Sequence, residues 1–133
     1  MSAPIIFPDI EQLLCDELPG LMATQGIASL KVSSRVPKVR PAEFVRVMRT
    51  GGSQRDKVTD LPTVVVEAWA ATESRANLIA QTVRGVLHEL TELDGVPVYE
   101  VREFAGPANL PDPATAAVRY TATYQIAVRG STA

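Results

Sequence analysis

The chain has 133 residues, 46% apolar and 21% charged, with ten prolines, one cysteine and one histidine. That size suits one domain over residues 1–133 and excludes a repeat array, while a lone Cys15 excludes an intrachain disulfide framework and a Cys/His zinc site. Net charge is −2, but Lys31–Lys57 holds eight cations against two carboxylates, a local +6 opposed by −8 elsewhere, a polarity that suits contact between copies, a basic patch aimed at an acidic partner, or a solvated strand edge and loop.

Met1–Pro8 has no basic residue and only a short apolar run, Ile5-Ile6-Phe7. It does not read as a signal peptide. Ile10, Leu13, Leu14 and Leu18 then recur at helical spacing behind Pro8 and Asp9, which predicts a helix from Pro8 that stops at Pro19-Gly20 or continues kinked through Met22. The uncharged run Leu18–Leu30 has 13 residues, too few for a spanning helix, which needs about 18. The expectation is a soluble protein made in the cytoplasm.

Ala28–Val32 and Glu43–Thr50 read as strands, separated by an extended stretch containing Pro37 and Pro41. Gly51-Gly52 ends the second, and the polar run from Gly51 to Leu61 reads as a mobile loop. Pro62–Ala70, with Val64, Val65 and Val66, predicts a central strand buried on both faces. Thr72 or Ser74 then caps a helix to about Leu93, with Ala76, Ile79, Ala80, Val83, Val86, Leu87 and Leu90 on its apolar side. Asp94-Gly95 turns the chain into a strand over Val96–Phe104, and the prolines of Ala105–Ala117 predict irregular backbone. The last strand, Val118–Arg129, alternates Tyr120, Ala122, Tyr124, Ile126 and Val128 with polar residues. The sum is an α+β domain, a mixed, mostly antiparallel sheet of about five strands covered by two helices.

Residues able to carry chemistry are sparse. His88 falls on the polar stripe of the long helix without a sequence-placed partner, and Cys15 sits beside Leu14 as an apolar filler. Gly51-Gly52 lacks the Gly-x-x-x-x-Gly-Lys of a phosphate loop. No catalytic, cofactor-binding or metal site is expected, and no cofactor. The pI near 5.4 and the single aromatic, Phe44, in the basic stretch argue against a dedicated nucleic-acid binder. Trp69 reads as a core anchor or, with an exposed edge, an interface hot spot.

Several features recur in a fixed order: Pro8-Asp9-Ile10-Glu11, then Arg49-x-Gly51-Gly52, a basic polar segment, and Asp60-x-Pro62 before a valine-rich strand. Trp69-Ala70 precedes the long helix, and Gly106-Pro107 and Asp112-Pro113 precede a last strand with Tyr120 and Tyr124. In this order the chain resembles the tail terminator proteins of long-tailed, siphovirus-type phages of actinobacteria.

That resemblance implies a structural virion protein, not an enzyme: a homo-oligomeric, hexameric ring that caps the tail tube, stops its polymerisation and presents the head-joining surface. Its implied partners are further copies of itself, the major tail tube protein and the head–tail connector protein, with DNA passing through the ring without sequence-specific binding and no membrane. Assembly is expected in the host cytoplasm and the final position at the head-proximal end of the tail. Arg46, Arg49, Arg55 and Lys57 become the candidate partner interface. A head-completion or neck connector protein is the second reading, and a small enzyme or ligand-binding domain with a cleft between the long helix and the sheet is the third.

Overall fold

The computed structural model describes residues 3–132. Their order is β1 (Ile5–Ile6), α1 (Ile10–Ala23), β2 (Lys31–Ser33), β3 (Phe44–Asp56), β4 (Thr59–Trp69), α2 (Glu73–His88), β5 (Glu92–Leu93), β6 (Val96–Asn109), β7 (Arg119–Arg129) and β8 (Ser131–Thr132). Six strands form one sheet in the order β2-β3-β4-β7-β6-β5, and β1 pairs with β8 in a small second sheet. The β2–β3 pairing is parallel and the other pairings are antiparallel. The architecture is α+β, as the sequence pattern predicts.

Both helices cover the same face of the large sheet. Ile10, Leu14, Leu18 and Met22 of α1 and Ile79, Val83 and Leu87 of α2 share one core with Val45, Val47, Val64, Val66, Ala68, Tyr124, Ile126 and Val128. The strands contribute through their two-residue alternation, the helices through three- and four-residue spacing, so the sequence periods and the packed face agree. Asp9 caps α1 by accepting from the Gln12 amide (3.2 Å), and Thr72 caps α2 by accepting from the Arg75 amide (3.2 Å).

Four boundaries differ from the sequence expectation. α1 runs through Pro19 to Ala23, one residue past the continuation read to Met22 and not to the alternative stop at Pro19-Gly20; the proline removes one amide donor, but burial of Leu18 and Met22 on either side keeps the helix docked. α2 ends at His88, because the Glu89–Leu93 segment turns away to place β5 against the start of β6. β6 continues past Pro107 to Asn109; its three register irregularities against β7 accommodate the proline on an outer strand. β2 is only Lys31–Ser33.

Candidate assembly surface

The fifth difference concerns the basic segment. Residues 51–61 are not a loop: β3 and β4 pair from Phe44↔Trp69 to Asp56↔Thr59, with irregularities at Arg49/Gly51 and Gln54/Asp56. Gly52 makes this possible. Its φ is +108°, and a Cβ there would collide with the Leu61 carbonyl oxygen. Asp56 closes the turn by accepting from the Val58 amide (3.0 Å), a contact that holds its carboxyl below the ordinary value. The Gly130 amide donates to the Val58 carbonyl (2.9 Å), and β4 is paired with β7 as far as Thr59↔Arg129. The exposed part is thus the β3 limb alone, because β2 covers β3 only over Phe44–Arg46.

The four cations proposed for partner contact occupy different settings. Arg46 lies on the helix-free face, 3.7 Å from Glu67, and its Nε donates to the Ser34 carbonyl (3.3 Å). Arg49 donates to both oxygens of Asp60 (2.8 and 3.3 Å) and to the Gly51 carbonyl (3.0 Å). Its own amide donates to Glu11 of α1 (2.7 Å), so this part of the strand edge is capped from within. Arg55 and Lys57 are exposed; Arg55 reaches Asp56 at 3.8 Å. Two of the four are therefore committed to the subunit's own fold, and two point into water at the far end of the edge.

The helix-free face carries an arrangement that the sequence pattern does not disclose. Trp69 stacks on Phe44, its cross-strand neighbour, with ring centroids 5.2 Å apart and planes at 16°. The guanidinium groups of Arg40 and Arg119 each lie 5.6 Å from the Trp69 ring centroid. Glu67, only 5% exposed, accepts from the Trp69 indole (3.3 Å) and from Arg119 (3.3 Å). Asp112 stands 3.9 Å from Arg119, and hydrogen bonds from Thr115 hold its carboxyl below the ordinary value. The signal was present as Glu67 and Trp69 alternating with core positions, but recognising it requires the strand register.

Among the described residues, the groups noted for possible chemistry have other engagements. His88 lies 3.8 Å from Glu103, which already accepts from Nε and Nη2 of Arg84 (2.7 and 2.8 Å). Burial first, then the nearby carboxylates of Asp16, Glu11 and Asp9, push the Cys15 thiol up and away from the thiolate form. Burial pushes the Tyr124 hydroxyl up to about 12. Among the described residues no three His, Cys, Asp or Glu side chains are grouped to hold a metal ion.

The family model described as phage tail termination protein matches residues 6–132. The chain belongs to that family. No curated protein matches it significantly. Membership in the tail termination family makes this a structural phage tail protein, located in the virion tail and in contact with other tail or head proteins. No helix among the described residues is long and apolar enough to cross a membrane. The family match spans the β3–β4 hairpin, the stacked Trp69 face and both helices, so each of these surfaces lies within the matched part of the chain.

Proposed function

We propose that this protein closes the finished tail tube as a homo-oligomeric ring, stops addition of further tube subunits and offers its other side to the head–tail connector protein. The family match over residues 6–132 carries this reading. Six copies follow from the family resemblance, as does an opening through which DNA passes without sequence readout. Assembly takes place in the host cytoplasm, and the ring ends at the head-proximal end of the tail.

Physical support comes from unlike surfaces on one subunit. A ring needs contacts between two different patches, and the basic outer limb of β3 lies towards the opposite edge of the six-stranded sheet from the carboxylates Glu89 and Glu92 at and before β5. Arg55 and Lys57 are the cations available to a tube subunit, while Arg46 and Arg49 set the shape of the strand that carries them. Adding the purified protein to polymerising tail tube protein, followed by electron microscopy, tests the proposal. Tubes should stop lengthening and carry a ring at one end; tubes that elongate unaltered and uncapped would refute it.

A further inference from the structure

Two surfaces outside the hairpin lack an occupant, and their chemistries match. The first is the β2–β3 connection, with Arg35-Val36-Pro37-Lys38-Val39-Arg40. Val39 is 88% exposed, the largest exposure of any apolar side chain of its size in the described chain. The segment is nevertheless anchored. Arg40 lies over Trp69, the Ser33 hydroxyl donates to the Arg35 carbonyl (2.6 Å), and Pro37 and Pro41 narrow the backbone choices between the two anchors. Arg35 and Lys38 make no ion pair among the described residues.

The second surface is a groove between the C-terminal halves of α1 and α2. It consists of two hollows, about 530 and 510 Å³, that share Leu21, Thr24, Glu89 and Leu90, a size suited to a few inserted side chains. Leu21, Val86 and Leu90 supply the apolar floor, Glu17, Glu89 and Glu92 stand around it, and no cation lines either hollow. Gly20 and Gly85 keep the floor low. Neither has a positive φ, and a Cβ on either would meet nothing within 4 Å. Alanine would favour both helices, so the subunit's own packing gives no reason for glycine; an approaching backbone does.

The loop cannot fill the groove of its own subunit. Arg40 pins it to Trp69 on the helix-free face, and the groove opens between the helices on the other face. We propose that the 35–40 loop of one subunit docks in the α1–α2 groove of a second copy, Val39 against Leu21, Val86 and Leu90, and Arg35 and Lys38 beside Glu89 and Glu92. The contact joins two different surfaces and therefore propagates head to tail until a ring closes. It rests on the self-assembly proposed above and assigns its residues.

Sedimentation of the full chain over a concentration series, with thermal melting as the folding control, tests the contact. Val39→Asp, the pair Glu89→Lys with Glu92→Lys, and the pair Arg35→Glu with Lys38→Glu should each weaken self-association by on the order of tenfold or more. Mixing the two charge-reversed pairs should restore it, because acidic loops then meet basic grooves and basic loops meet acidic ones. Gly85→Leu separates this from misfolding: it should melt no lower than the parent chain and still fail to associate. If the parent chain associates and these variants associate equally well, or if the mixture does no better than its components, the loop–groove contact is overturned while self-assembly stands. A parent chain that remains monomeric in solution and on tube ends overturns both.

Discussion

The two faces of the large sheet are built from the same strands by different physics. Toward the helices, Val45, Val47, Val64, Val66, Ala68 and Ile126 meet aliphatic residues of α1 and α2 and are held by removal of apolar surface from water. On the other side no helix of the described residues packs, yet Glu67 and Trp69 are as buried as core residues, because Phe44, Arg40, Arg46 and Arg119 cover them. The first face tolerates changes of shape that preserve volume. The second depends on particular partners, since Glu67 is buried only as long as its guanidinium and indole neighbours remain.

That contrast can be broken most forcefully at Leu87, which is 0% exposed on the helix-facing side. Leu87→Ala should lower unfolding free energy by about 2–5 kcal/mol in denaturant titration; a loss no larger than that of a surface substitution would place this helix in another register. Glu67→Ala, on the opposite face, should be milder, about 1–3 kcal/mol, as it strands the Arg119 and Trp69 donors.

A smaller effect is expected at Glu43, where the Arg75 fork (2.7 and 2.9 Å) ties the start of β3 to α2. Arg75 holds the Glu43 carboxyl below its ordinary value. Its contribution is therefore complete above the ordinary carboxyl range and lost as pH falls through the lowered folded value. Glu43→Gln should melt below the parent at neutral pH, and the gap should narrow on acidification. The least effect on stability belongs to Arg55→Glu with Lys57→Glu, within about 0.5 kcal/mol, since neither side chain serves either face. The same variant should cap tail tubes less well, and unimpaired capping would remove the hairpin end from the contact.

Much of the helix-facing half was legible in the sequence, because burial on one side imposes a period. β7 alternates from Tyr120 to Val128 and α2 repeats from Ala76 to Leu87, as read from residues alone. The outer β3 limb was not legible. Gly51 to Asp56 is polar and exposed, so only backbone pairing with β4 makes it a strand, and backbone pairing leaves no side-chain period. Pro19 reads as a stop or a kink and the prolines from Ala105 to Ala117 as irregular backbone, but a docked helix continues through the first and an irregular outer strand takes in Pro107. The candidate cations were visible as a run of charge; that Arg46 and Arg49 are engaged by Glu67 and Asp60 depends on partners set by register.

Trp69 is the molecule's only tryptophan, and it lies beneath the arginine that anchors the 35–40 segment. The fold thereby contains its own optical probe. While Arg40 is seated, the indole is shielded and should emit toward the blue; displacement of the segment would admit water and move the emission to longer wavelength. Fluorescence of the unlabelled protein can therefore follow the seating of that segment during assembly in real time.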